Sequence, residues 1–268
     1  MVRFPHIDLR PPTPAEVRTV LWRAPAAAAE YYAEPAPGRP ANSVMYVLEQ
    51  GDLPREISHQ ARQASRRAER ELEFEFIDAA RLREHGLPAF CQTRQRNGLS
   101  DGTTEHFETY VNAYDKAGRT ILAAWHEGQL IAFLAITAVA DFALVEGSFS
   151  LTDARALRPN DGLATTVVDH FLIGDRARLV SYGMAPMQTG LEESGLHRFK
   201  VKVGFRPVPV RRCYTVHPLL RPGVNRVTLK SVERISAARP GSRALRKAGG
   251  VLRSLVDDCP RRRGGPST

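Results

Sequence analysis

The chain has 268 residues, enough for one large domain or two small ones, and its 43% hydrophobic and 25% charged residues are ordinary for a folded globular protein. No apolar run approaches the roughly 20 residues that cross a bilayer; the longest, Leu130 to Ala140, is about half that, and the opening MVRFPHIDLRPP lacks the apolar core of a signal peptide, so a cytoplasmic location is expected. The net charge of +9 is carried by one end: 14 Lys and Arg stand against 3 acidic residues from Pro207 to Thr268, while the first 206 residues hold 24 against 26.

In chain order, residues 1–41 carry clustered prolines and an alanine run, which predicts an irregular N-terminal arm. Val44, Tyr46 and Leu48 alternate in a first strand. The helix ISHQARQASRRAER follows, with Arg62, Arg66 and Arg70 on one stripe that either clamps phosphate oxygens or is a solvated face supported by Glu56 and Glu69. The strand LEFEFI puts Leu72, Phe74 and Phe76 on one side. Two helices come next, Asp78 to about Gln95 with a break at Gly86 to Pro88, and a second from Thr103 to Gly118 that buries Phe107, Val111 and Tyr114.

The periodicity then shifts to strands. Arg119 to Trp125 and Leu130 to Ala140 form a hairpin about His126-Glu127-Gly128-Gln129, and Phe142 to Leu151 returns as a third antiparallel strand. Gly147 in its middle marks a bulge or a close approach to the backbone. Strict alternation groups Leu144, Glu146, Ser148 and Ser150 on one face. A Pro-Asn-Asp loop leads to an apolar helix starting near Gly162, then a strand over 179–184. In the helix GLHRFKVKVGF, Leu196, Phe199 and Val203 form the buried stripe, Lys200 and Lys202 lie off it, and Gly204 stops it. A last strand spans Val208 to Val216, with helices around Val232 and from Ser242 to Val256.

Several stretches carry a family likeness: ARQASRRAERELEFEF, HEGQLIAFLAI, LRPNDGLATTVVDHFL and GLHRFKVKVGFRPVPV. Together, over residues 42–218, they resemble the GNAT acyltransferases, in the branch shared with Fem-type aminoacyltransferases and BioF2-like acetyltransferase domains. The resemblance implies an α/β (α+β) fold, a mostly antiparallel twisted sheet flanked by helices. It also implies three segments: an arm over 1–41, the acyltransferase domain over 42–218, and a basic tail over 219–268.

Acyl transfer to an amine needs a base, oxyanion donors and an acid for the leaving group. Glu146, a carboxylate in an apolar strand, is the candidate base. The resemblance makes the strand amides at Gly147 and Ser148 the oxyanion donors. It also makes Arg158, Gly162, Leu163 and Ala164 the contacts for the phosphates of acetyl-CoA or another acyl-CoA, although Arg158-Pro-Asn-Asp-Gly162-Leu-Ala164 is one residue longer than the family loop. Lys200 stands where the family often has an acid tyrosine, so Tyr182, Tyr214 or water is left to protonate the leaving group. His197 and Lys200 border the same cleft.

The expected acceptor is a small-molecule or peptide amine. Two alternatives stay open: an aminoacyl-tRNA donor of the Fem kind, and a non-catalytic adaptor that binds RNA or an anionic membrane surface through the tail. Cys91, Cys213 and Cys259 lack ligand or disulfide spacing, so no metal is expected. Ser148 and Ser194 lack a Gly-x-Ser-x-Gly setting, and the chain has neither a P-loop nor a dinucleotide fingerprint.

Overall fold

The computed structural model describes residues 2–4, 11–24, 26–53, 57–99, 102–115, 119–187, 195–238 and 243–258. Its elements begin with β1 (Val2–Arg3), α1 (Pro14–Arg23), β2 (Ala28–Ala33), β3 (Ser43–Glu49), α2 (His59–Glu71), β4 (Glu73–Ile77), α3 (Ala79–His85), α4 (Leu87–Arg96) and α5 (Thr104–Tyr114). They continue with β5 (Arg119–His126), β6 (Gln129–Val139), β7 (Phe142–Ser150), α6 (Pro159–Val168), β8 (Leu179–Pro186), α7 (Gly195–Lys202), β9 (Arg206–Val216), α8 (Arg226–Ala238) and α9 (Arg243–Asp258). Glu56, Gly118, Ser194, Ser242, Cys259 and the terminal RRRGGPST lie outside the described residues.

The chain divides into two compact units, Ser43–Val208 and the paired segments Met1–Asn42 and Pro209–Thr268. In the first unit the strands run β3-β8-β7-β6-β5-β4. Every neighbouring pair is antiparallel except β7 with β8, which is parallel. β6 is the spine of this sheet, buried from Leu130 to Ile136 because both of its faces are covered. Phe133 and Phe149 stack across β6 and β7 at 4.7 Å, and Phe90 of α4 stacks on Phe149 at 5.3 Å.

The capping chemistry follows the sequence. Ser58 caps α2 by accepting from the Ala61 amide, Asp78 caps α3, and Thr103 caps α5. The break expected near Gly86 separates α3 from α4, with Pro88 in the first turn of α4.

Three local expectations are corrected. α6 begins at Pro159, not near Gly162, because Arg158 takes a left-handed conformation (φ 59°) and proline is pre-set for the first helical position; α6 then runs into a π-helical turn, Asp169–Ile173. The strand irregularity falls on Glu146, not Gly147: Ala135 opposes Gly147 and Ile136 opposes Val145, leaving Glu146 as the extra residue. Alternation therefore resets, grouping Leu144 with Gly147 and Phe149, and Val145 with Ser148 and Ser150. In α7, Leu196 is exposed while Lys200 is only 3% exposed, so the helix turns a lysine inward with Phe199 and Val203.

The second unit corrects the picture of an irregular arm. Thr13 and Glu16 form a capping box on α1, and the alanine run folds as β2, pairing antiparallel with β9 from Ala28–Val216 to Ala33–Arg211. Glu30 is buried on β2, held by Arg212 at 2.8 Å and by the Tyr32 hydroxyl at 2.5 Å. Beyond a 3-10 turn at Pro218–Gly223, α8 and α9 pack as a helical pair, tied by Arg253 to Glu233 at 2.6 Å.

Candidate active site at the bulge of β7

β7 and β8 are paired only over three positions, from Phe142–Leu179 to Leu144–Ser181. Parallel strands that stop pairing part from one another, and the backbone beyond the last pair is left to other partners. The bulge at Glu146 sits two residues past that last pair on β7, and Tyr182 is the next residue on β8. The register gives no β7–β8 pair beyond this point.

On one side of β7, Glu146 is exposed and accepts a short hydrogen bond from the Tyr114 hydroxyl. Burial pushes the Tyr114 phenol well above its usual range, and the hydrogen bond to Glu146 adds to this. The Arg119 guanidinium lies 5.0 Å from the centre of the Tyr114 ring and donates to the Ala113 carbonyl, which fixes that ring. Gly147 is required here: a Cβ would stand 2.6 Å from the Phe149 ring and 3.1 Å from the Tyr110 hydroxyl. Tyr110 is half-buried with its hydroxyl enclosed, and its phenol is pushed far up, chiefly by desolvation.

On the other side, Ser148 donates to Asn160 of α6 at 3.3 Å. Tyr182 is enclosed, and the Ser148 hydroxyl approaches its phenol without reaching hydrogen-bond geometry. Burial raises the Tyr182 phenol well above its usual range. Lys200 reaches into the same region, its ammonium 5.9 Å from the centre of the Tyr182 ring and 4.3 Å from that of Tyr46. Desolvation brings Lys200 down to about 8. The Tyr46 hydroxyl is hydrogen-bonded to His197 Nδ1 at 2.8 Å, connecting this pocket of rings to a partly exposed imidazole.

The start of α6 completes the region. Arg155 and Arg158 are exposed just before it. Asp161 is buried in its first turn and pairs with Lys202 of α7 at 2.8 Å, so its charge is neutralised in place. Gly162 packs so tightly that a Cβ would lie 2.2 Å from Phe74 and 2.9 Å from Ala68. The amides of Asp161 and Gly162 donate to the Arg158 carbonyl, and Leu163 and Ala164 are wholly buried. Tyr214 lies in the other unit, with the Arg212 guanidinium over its ring.

The sequence-predicted residues are thus gathered in part. Tyr182, Lys200 and Ser148 converge; Glu146 is held separately by Tyr114. Tyr114 was visible only as a core position, and Asn160, Asp161 and Lys202 carried no signal, because their partners lie on other elements. Among the described residues no group of three or more His, Cys, Asp or Glu side chains could hold a metal ion, and no helix is long and apolar enough to cross a membrane.

No protein-family profile matches the chain, and no curated protein matches it in sequence. Solved structures do resemble it. The C-terminal domain of a protein assigned as a lysylphosphatidylglycerol synthetase from Agrobacterium fabrum superposes with a TM-score of 0.51 at 14% identity, over 75% of this chain and 72% of that one. FemX superposes with a TM-score of 0.54 at 11% identity, over 66% of this chain and 63% of its own length, a little under two thirds. The chain shares the fold of these two proteins. At these identities the likeness concerns the fold. In that fold the candidate residues lie about the end of β7–β8 pairing.

Proposed function

We propose that this protein is an N-acyltransferase that moves an acyl group from a thioester donor, acetyl-CoA or another acyl-CoA, to an amine by direct attack. The observation that carries the reading is the bulged Glu146 two residues beyond the last β7–β8 pair, held by Tyr114, with Ser148, Tyr182 and Lys200 gathered on the other side of β7. The residues fit such a donor: β7 and β8 pair over only three positions, the enclosed Tyr182 hydroxyl lacks a full partner, and Arg155 and Arg158 stand at the head of α6.

A bound acyl thioester supplies an electrophilic carbonyl and a thiol leaving group. Glu146 takes the proton from the attacking amine as the C–N bond forms, with Tyr114 orienting its carboxylate. Backbone amides at Gly147 and Ser148 stabilise the negative charge on the carbonyl oxygen. As the C–S bond breaks, Lys200 gives a proton to the sulfur. Its value of about 8 is close to that of an ordinary thiol, roughly 8.5, so the transfer is nearly balanced. Tyr182, held protonated by burial, is a poorer match and serves to shape the cleft. Donor phosphates fall to the exposed Arg155 and Arg158 at the head of α6; Gly162, Leu163 and Ala164, expected as phosphate contacts, lie past its first residues with the Gly162 amide already bonded to Arg158 and Leu163 and Ala164 wholly buried.

A second reading uses an aminoacyl-tRNA as donor. It is favoured by Arg62, Arg66 and Arg70, which are exposed along α2 and, among the described residues, have no carboxylate partner. The C-terminal basic segment adds to that charge and would meet the same RNA or an anionic surface. Thermal denaturation with and without acetyl-CoA tests the first reading, which expects a rise in Tm. Salt-sensitive retention of tRNA, lost when residues 219–268 are deleted and with no response to acetyl-CoA, would replace it with the second.

A further inference from the structure

The unit formed by Met1–Asn42 and Pro209–Thr268 contains a cavity of about 730 Å³ that the transfer reaction does not use. That volume lies within the range of small-molecule sites, about 300–1,000 Å³. Its walls mix polar and apolar surface, with the aromatic rings of Trp22, Tyr31 and Tyr214 among them, and Arg18, Arg39, Arg211 and Arg221 stand around it. Among the described lining residues none is acidic.

The charge imbalance is unusual within this unit. Elsewhere in it, Arg212 is held by Glu30 and Arg253 by Glu233. Among the described residues, by contrast, Arg18, Arg39 and Arg221 have no carboxylate partner and are exposed. Three exposed cations around one cavity give it a positive potential, and an anion entering it would gain charge-assisted hydrogen bonds. The aromatic walls ask for something different. Trp22, largely exposed, is set edge-on to His217 at 4.6 Å and offers a flat apolar side chain to the cavity.

We propose that this cavity binds a small, flat, ring-bearing anion such as an aryl phosphate or aryl carboxylate, with the ring among Trp22, Tyr31 and Tyr214 and the anionic group toward Arg18 and Arg221. Neither half of the ligand suffices alone: a free anion leaves the aromatic walls wet, and a neutral ring leaves the arginines unneutralised. The site is independent of acyl transfer, and it stands or falls without it.

Titration calorimetry on the full chain with 1-naphthyl phosphate, 1-naphthol and inorganic phosphate tests the proposal. Saturable one-to-one binding of 1-naphthyl phosphate is expected, with at least about tenfold weaker binding of either fragment and about a tenfold loss in Arg18→Ala or Arg221→Ala. Both arginines are exposed, so these variants should keep the parent Tm, and Tyr214→Ala serves as a separate probe of the wall. Equal binding of 1-naphthol, equal binding of inorganic phosphate, affinity unchanged in both arginine variants, or no saturable binding of 1-naphthyl phosphate would each overturn it.

Discussion

The Lys200 ammonium stands 4.3 Å from the centre of the Tyr46 ring, in a helix–sheet contact that leaves the lysine 3% exposed. A cation over an aromatic face gains some electrostatic attraction, but less than it loses by leaving water, and this is why the group sits near 8 rather than 10.5. The same displacement makes it useful as an acid near neutrality.

It also makes stability depend on pH in a defined direction. The folded chain holds the Lys200 proton less tightly than the unfolded chain. Below about pH 8 both states are charged and the full cost of enclosing the charge is present; between about 8 and 10.5 the folded state releases the proton first, and stability rises with pH. The shift corresponds to about 3 kcal/mol. In denaturant unfolding from pH 7 to 10, wild-type stability should gain on Lys200→Met as pH rises. A difference between the two that stays constant with pH contradicts the burial argument.

Gly162 should not tolerate a side chain. Its missing Cβ is the space in which α6 meets Phe74 and Ala68. Gly162→Ala is expected to cost about 1–3 kcal/mol, since overpacking outweighs the gain in helix propensity. Chemical denaturation measures this directly, and a stabilised variant would mean that the contact is looser than described.

If Glu146 is the base, Tyr114 acts through it, since the Tyr114 hydroxyl holds one carboxylate oxygen. Tyr114→Phe should lower kcat about tenfold while leaving KM for the donor within twofold. A rise in KM with kcat unchanged would assign Tyr114 to donor binding instead.

How much of this was legible in the sequence depends on whether the deciding partner is near in the chain. The hairpin of β5 and β6 and the caps Ser58, Asp78 and Thr103 are local, and their residues are sufficient to specify them. β2 was missed because Ala28, Ala29 and Ala33 have no strand preference of their own; pairing with β9 decides their conformation. The start of α6 was hidden because Pro159 reads equally as a loop residue or as a first helical residue, and only the left-handed Arg158 settles it. Charge alone places Lys200 outside; it is carried inward with Phe199 and Val203 as α7 packs on the core, to face the Tyr46 ring far away in the chain. Glu146 was recognisable as an unusual carboxylate, but the bulge that changes the face of its neighbours is a property of the register with β6.

The arginines of α2 separate donor classes. If the donor is a thioester, replacing Arg62, Arg66 and Arg70 with alanine should leave acyl-CoA-dependent transfer within twofold, because each is exposed and no other described residue depends on it. A large loss accompanied by a reduced salt dependence of tRNA binding would favour the nucleic-acid donor.

The central claim is that Glu146, in the bulge of β7, is the base for attack of an amine on a thioester. Amine-dependent release of free thiol from acetyl-CoA, measured for the wild type and for Glu146→Gln across a panel of primary amines, tests it most directly. The account predicts transfer by the wild type and about a hundredfold lower kcat in the variant with its Tm preserved. Transfer that is undiminished in Glu146→Gln, or a wild type that releases thiol at the same rate with and without amine, would contradict it.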